Sequence, residues 1–307
     1  MKLSELRYVI AVAKELHFAK AAKACHVSQP SLSVAVSKLE RSLGVQIFER
    51  RTNNISVTDI GQKIIAEAKR VLEGVETITM LAKEGESQLN EPLKIGAILT
   101  VGSYLFPSLL PKLTESAPDM PLIIQENFTH ILKTKLLSGE LDVIIVAAPF
   151  AEKGVVTQKL YTEPFVVLLP KMHPLAIQKT IRPEQLRGEN MLLLGKGHCF
   201  RDHVIQACPD CIGNDDLSRT IEGTSIETLR HMVASGVGIT VLPSTATNIQ
   251  YYQSTLCTRP LVAESVPQRE VLLAWRVSFP RPKAIDALIQ AMPYSRLTQY
   301  CIAPEVV

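Results

Sequence analysis

The sequence predicts an α/β protein in three parts: a small basic helical head, one long helix, and a larger body in which strands and helices alternate. Three observations predict it. The charge is lopsided: residues 1–60 hold nine Lys/Arg against five Asp/Glu, so the rest of a 307-residue chain with formal charge +3 sums to −1. A Pro-free stretch from Asp59 to about Ser87 carries one apolar stripe at helical spacing. Beyond residue 92, apolar runs of strand length recur with helical stretches between most of them. The length suits about two domains at roughly 150 residues each.

Composition excludes several classes. With 46% hydrophobic and 21% charged residues, the chain is neither disordered nor fibrous. Its apolar runs are short, as in the eight residues of Val143–Phe150, against the roughly 18–20 that span a bilayer. Lys14 and Glu15 end the apolar Tyr8–Ala13 stretch too early for a signal peptide. A cytoplasmic protein without a membrane partner is expected. Its six cysteines (25, 199, 208, 211, 257 and 301) are then expected to be reduced at rest.

In the head, Leu6, Val9, Ile10, Ala13 and Leu16 recur at helical spacing behind Ser4, the expected N-cap. A second helix fits Ala19–Cys25, and Cys25 is expected to pack in the head's core. A turn at His26–Ser31 feeds a third helix, capped by Ser28, with Pro30 in its first turn and Gly44 closing it. Leu32, Val36, Leu39 and Leu43 form its buried stripe, which leaves Gln29, Pro30, Ser31, Ser33, Val34 and Ser37 toward solvent near the N-terminal half. Small hydrogen-bonding side chains at the start of such a helix suit entry into the DNA major groove, where bulk would hold the helix off the base edges. Lys38, Arg41, Arg50 and Arg51 are placed to neutralise phosphates. Val45–Glu49, a turn at Arg51–Asn54 and Ile55–Thr58 read as a two-stranded wing. A helical hairpin with a solvated charged face is the alternative.

Ile60, Ile64, Ala68, Val71, Val75, Ile78 and Ala82 form the stripe of the long helix, about 28 residues and about 40 Å. So long a stripe calls for a partner, and a second copy of itself is the natural one; packing against its own body is the alternative. Gln88–Pro92 reads as a hinge. In the body, Leu93–Ile98, Leu122–Glu126, Val143–Ala147, Phe165–Leu169, Met191–Leu194, Ile239–Leu242 and Val271–Trp275 are strand candidates, with a helix near Ala284–Met292. Mainly parallel sheets are expected.

The most informative stretch runs from Leu192 to Cys208. A buried strand ends at Gly195, Gly195 and Gly197 turn the chain, and a helix begins around Cys199. A thiol at a helix N-terminus feels the positive end of the macrodipole, and His198, Arg201 and His203 would add positive charge. Such surroundings favour the thiolate, which attacks peroxide to give a sulfenic acid that a second thiol converts to a disulfide. Cys208 is nine residues on. An unbroken helix would hold the two Cα atoms about 13 Å apart, while a disulfide needs about 5.5–6 Å, so bonding requires this segment to unwind. Other readings stay open on the residues alone. Both cysteines could be core thiols; Cys208-Pro-Asp-Cys211 has the spacing of a dithiol or zinc half-site, without a second half. The two glycines are a weak phosphate-binding signal, and a Cys–His enzyme would need an orienting group not found here.

The run Phe18-Ala-Lys-Ala-Ala-Lys-Ala-Cys-His-Val-Ser-Gln-Pro-Ser-Leu-Ser, with Lys38-Leu-Glu, Leu43-Gly-Val, Phe48-Glu-Arg and Thr58, resembles the winged helix-turn-helix of LysR-type transcriptional regulators. Gly96-Ala-Ile-Leu-Thr100, Tyr104-Leu-Phe-Pro107, Glu126-Asn-Phe-Thr-His130, Gly197-His-Cys-Phe-Arg-Asp with Cys208, and Thr224–Pro243 resemble the hydrogen-peroxide sensors of that family. The similarity runs nearly end to end and is weakest past about residue 245.

The resemblance implies a DNA-binding dimer or tetramer on an inverted repeat, working with RNA polymerase. It implies a periplasmic-binding-protein-like regulatory module of two lobes: head 1–58, linker helix and hinge 59–91, lobe I 92–163 with 268–307, lobe II 164–267. Cys199 would be the peroxidatic thiol and Cys208 the resolving one. Thr100, Thr129, His198, Arg201, Asp202 and Arg269 would surround the peroxide, and a glutaredoxin- or thioredoxin-type reductant would reset the switch. No metal, no cofactor and no turnover enzyme is expected. A LysR-type regulator of a small-molecule effector, or a thiol peroxidase or oxidoreductase, are the alternatives. Cys211 departs from the family pattern, and Cys257 and Cys301 are expected bystanders.

Overall fold

A computed structural model describes residues 1–51, 54–82, 88–209, 221–247, 254–263, 266–293 and 297. Cys211 and Cys301 lie outside them, and the side chains of Arg50 and Arg51 are not described. The chain forms two compact units, the first built on Met1–Gln88 and the second holding most of the rest.

In the first unit, α1 (Leu3–Glu15) starts before Ser4, because Lys2 occupies the cap and the Glu5 carboxylate accepts its backbone N–H at 2.7 Å. Leu16 is the left-handed C-cap and half exposed, so it leaves the expected stripe. α2 spans Phe18–Ala24, and Cys25 packs against the head core. In α3 (Gln29–Leu43), Ser28 accepts from Ser31 N–H at 3.3 Å, Pro30 lies in the first turn, and Gly44 closes the helix at φ 68°. A left-handed C-cap favours glycine, which has no Cβ to clash. Leu32, Val36 and Leu39 are buried, but Leu43, placed in the buried stripe, is 40% exposed.

The wing is β1 (Phe48–Arg51) antiparallel to β2 (Asn54–Val57), with Phe48 opposite Val57. It is fastened to α3 by Glu40, whose Oε1 accepts from Ile47 N–H at 2.8 Å and Phe48 N–H at 3.1 Å. The long helix α4 spans Asp59–Ala82 in the described residues. Its expected stripe is covered only in part, and Ile64, Ala68 and Val71 of it border one groove. Ile65 and Ala68 complete the head core, while Ile60, Val71 and Ile78 are exposed, the last at 68%.

The second unit alternates strands and helices along one path: β3 (Leu93–Ile98), α5 (Leu99–Ser116), β4 (Leu122–Asn127), α6 (Thr129–Leu137), β5 (Val143–Ala147) and β6 (Val155–Pro170). Next come β7 (Met191–Leu194), α7 (Cys199–Ala207), β8 (Ile221–Gly223), α8 (Ile226–Ala234), β9 (Ile239–Pro243), β10 (Leu256–Pro260), β11 (Gln268–Arg276) and α9 (Pro282–Gln290). Strand order is β4-β3-β5-β11-β6-β9-β7-β8, with β10 also on β6. Two parallel clusters, β4-β3-β5 and β9-β7-β8, are joined by the antiparallel strands β6 and β11. The expectation of mainly parallel pairing therefore fails at the centre. The first half of β6 was not predicted because Val156–Lys159 is exposed and largely polar, so no apolar run marks it.

The wing's dependence on one carboxylate is testable. Glu40→Ala removes the acceptor of two backbone donors, at about 1–3 kcal/mol. Amide hydrogen exchange at Ile47 and Phe48 is expected to speed up by about tenfold or more, with the core of α3 little changed.

Candidate functional site

β7 carries the chain inward to Leu194, and Gly195–Gly197 turns it back. Gly197 takes φ +100°, a backbone conformation that favours glycine, while a Cβ there would meet the Phe128 ring at an ordinary 3.4 Å. His198 is the N-cap, and Cys199 opens α7 as expected. Its thiol borders a cavity of about 10 Å³ lined by Thr100, Asn127, Phe128, Thr129 and His198, among others. That is the scale of a single water-sized guest. Thr129 Oγ1 is buried there with no hydrogen-bond partner.

Thr100 is held from the other side. Arg269 Nη1 donates to Thr100 Oγ1 at 2.8 Å and Nη2 to its carbonyl at 2.9 Å. Arg269 Nε donates to Glu163 Oε1 at 2.7 Å, and both side chains of this ion pair are fully buried. Glu163 also accepts from Thr245 Oγ1 at 2.6 Å, and Arg269 lies 4.9 Å over the Phe200 ring. Burial alone would lower the pKa of Arg269. Glu163, then Cys199 and Tyr161, outweigh it, so the pKa is raised and the guanidinium is a fixed cation acting on the thiol.

The expected histidine charge is absent at neutral pH. Burial foremost lowers the pKa of His198, whose Nε2 donates to Thr224 O at 3.2 Å and whose ring stands edge-on to Phe128 at 4.9 Å. Burial, then the charge of Arg269, lowers that of His203. Arg201 is buried, donating to Leu194 O at 2.7 Å and pairing with Glu222 at 2.9 Å, so its charge is balanced locally. Asp202 is exposed in the first turn. The positive charge thus comes from Arg269, remote in sequence. Phe128, Glu163 and Thr245 were missed; a lone acid in a strand pattern, at Glu163, was the one available signal.

Cys208 sits at the C-cap of α7, fully buried, and both it and Cys199 are thiols. Between them α7 is regular, so the Cα atoms stand about 13 Å apart.

In the first unit, Gln29, Pro30, Ser31, Val34, Lys38 and Arg41 are exposed on α3, while Ser33 and Ser37 are half-buried. An apolar groove of about 250 Å³, lined by Leu6, Leu43, Ile64, Ala68 and Val71, among others, opens beside α4.

The neutral histidines give a sign. Their folded pKa values lie below the ordinary 6.5, so the unfolded chain binds more protons as pH falls below about 6.5. Their contribution to stability is full above that pH and lost below it. The melting temperature is expected to fall between pH 7 and 5.5, and less steeply in a His198→Asn/His203→Asn double variant, by calorimetry.

The family described as "Bacterial regulatory helix-turn-helix protein, lysR family" matches residues 3–62, and "LysR substrate binding domain" matches residues 86–294. The chain is 34% identical over 292 residues to the DNA-binding transcriptional dual regulator OxyR of Escherichia coli K12, covering 95% of each. It is 35% identical over 280 residues to the hydrogen peroxide-inducible genes activator of Dickeya chrysanthemi, covering 91% of each. Among solved structures, a full-length OxyR variant from Pseudomonas aeruginosa is 51% identical with a TM-score of 0.84, over 95% of this chain and 94% of that one. A hydrogen-peroxide-bound OxyR variant from Corynebacterium glutamicum is 30% identical with a TM-score of 0.63, over 100% and 98%. An N-terminal helix-turn-helix and a two-lobed regulatory domain, matched along their whole length, place the chain in the LysR family of bacterial regulatory proteins, in its OxyR branch.

Proposed function

We propose that this protein is a DNA-binding transcriptional regulator that senses hydrogen peroxide through Cys199 and switches oxidative-stress defence genes. One observation carries the reading: a thiol at a helix N-terminus borders a water-sized cavity, beside an unpaired Thr129 hydroxyl and the Arg269 cation. Thr129 Oγ1 is available to hold a peroxide oxygen, and Thr100 Oγ1, fixed by Arg269, can hold the other. His198 lines the pocket around them, while Arg201, tied to Leu194 and Glu222, and exposed Asp202 lie outside its lining. The thiolate attacks one oxygen, the O–O bond breaks, and Cys199 becomes a sulfenic acid while hydroxide leaves. The Cys208 sulfur then attacks the Cys199 sulfur, the S–O bond of the sulfenic acid breaks, and its hydroxyl leaves with the Cys208 thiol proton as water, giving the disulfide. Since about 13 Å separates the Cα atoms, α7 must unwind, and oxidation selects a different local fold.

The cavity's size favours peroxide over a larger effector, and one oxidation per activation makes the protein a regulator rather than a turnover enzyme. A glutaredoxin- or thioredoxin-type dithiol returns it to the reduced state in the cytoplasm. We read residues 1–58 as the DNA-binding head, 59–91 as linker, and 92–163 with 268–307 and 164–267 as the two lobes. The exposed residues of α3, with half-buried Ser33 and Ser37, read bases; Lys38, Arg41, Arg50 and Arg51 hold phosphates. The exposed apolar face of α4 and its groove pair two copies, as a dimer or tetramer on an inverted repeat that engages RNA polymerase.

Two measurements test this. Reduced protein treated with one equivalent of hydrogen peroxide is expected to give a 199–208 linkage by non-reducing peptide mapping, lost in Cys199→Ser and Cys208→Ser and kept in Cys211→Ser. Six unreacted thiols would overturn the peroxide reading. On DNA, Gln29→Ala is expected to weaken operator binding about tenfold while random DNA is little affected; equal losses on both would contradict base reading there.

A further inference from the structure

His203 stands at the i+4 position from Cys199 on α7, so the two side chains leave the helix on the same face. Its Nε2 lies 3.1 Å from the carbonyl oxygen of Ala148. A carbonyl only accepts, so Nε2 carries the ring proton and Nδ1 remains a lone-pair acceptor. That Nδ1 is buried and has no hydrogen-bond partner. A buried acceptor left without a donor is costly, and a catalytic role is one reason for a native structure to keep one.

The surroundings leave the ring neutral, with a free lone pair at Nδ1. The ring lies against Phe165, centroids 6.4 Å apart. Burial foremost, then the charge of Arg269 on β11, lowers the pKa of the ring. Together they outweigh the tie to Ala148 and the opposing charge of Asp202 on α7, so the imidazole is neutral. The same Arg269 acts on Cys199, with Glu163 and Tyr161 of β6 as the other groups facing that guanidinium. His198, the other titratable neighbour, is turned to the carbonyl of Thr224. Cys199 therefore has a cation to stabilise its thiolate and, one turn along its own helix, an unoccupied base.

We infer that His203 Nδ1 is the proton acceptor for the Cys199 thiol, an assignment that rests on the peroxide-sensing reading and deepens it. The S–H proton passes to Nδ1, leaving a thiolate against Arg269 and an imidazolium still bonded to Ala148. Sulfur attacks one peroxide oxygen and is oxidised to the sulfenic acid as the O–O bond breaks. The hydroxide that leaves takes up the proton released from the thiol, so one thiol and one peroxide give one sulfenic acid and one water. His203 ends neutral.

The test uses the full-length reduced protein with His203→Gln and His203→Phe. The glutamine amide can still donate to Ala148 but is no base; phenylalanine offers neither. Two readouts are followed: iodoacetamide alkylation of Cys199 against pH, and dimedone-trapped sulfenic acid formation with hydrogen peroxide. Both variants are expected to lose about tenfold or more in each rate at pH 7, with the alkylation profile moved to higher pH. A Gln variant that matches the parent in rate and profile, while only Phe slows, would make His203 a structural tie and overturn the assignment. His203→Asn takes the place of Gln if thermal melting shows that Gln perturbs the fold. An alkylation shift in a protein whose Cys199 ignores peroxide would leave His203 as the base and overturn the sensing reading alone.

Discussion

The buried ion pair of Glu163 and Arg269 is the constraint on which the regulatory domain depends. It lies where β6 and β11 pair side by side, the two strands that join both parallel clusters. Two charges removed from water are tolerable only if well paired and otherwise hydrogen-bonded. Here Glu163 also accepts from Thr245, and Arg269 donates both terminal nitrogens to Thr100 and lies over Phe200. Removing either partner would strand the other charge, at about 3–5 kcal/mol. So one cation at the crossing of the chain holds a threonine of α5, a glutamate of β6 and, through its field, the thiol of α7.

That arrangement explains why the positive potential at Cys199 is not supplied by its neighbours in sequence. A histidine in a closed interior loses its proton more readily than it gains one, because burial disfavours the charged form. An arginine cannot shed its charge, and Glu163 keeps it in place. His198 and His203 are therefore neutral participants, one edge-on to Phe128 and the other tied to Ala148. The fixed cation and the neutral rings divide the work that the local sequence had assigned to three cations.

Legibility followed from whether a signal was local. Ser28, Pro30 and Gly44 bound α3 because capping and proline placement are decided within a few residues. β3, β5 and β7 were placed to the residue, since strands covered on both faces read as apolar runs. Ser4 failed as a cap because the Glu5 carboxylate accepts from Lys2 N–H and so fixes the cap two residues earlier. Leu43 failed as core because the helix ends there, and the α4 stripe stays partly exposed because only some of it meets the head. In the site, the start of α7 at Cys199 was readable. Glu163, Thr245 and Phe128 were not, because each acts only through a fold that brings residues tens to a hundred positions apart together.

The two cysteines show the same logic as a conflict between levels. Helix geometry holds Cys199 and Cys208 about 13 Å apart along α7, while Phe200, Val204 and Cys208 itself anchor that helix in the core of its lobe. The reduced fold is thus stabilised by the burial that a disulfide between them would have to undo. A covalent bond between the two sulfurs could not be accommodated by a side-chain adjustment, because Cys208 is fully buried at the far end. The helix must lose its packing for the bond to close. His203 and its tie to Ala148 lie on that same helix, so the segment that would unwind is also the one that reaches across to the end of β5. Chemistry at a single sulfur is in this way coupled to the contacts of a whole helix.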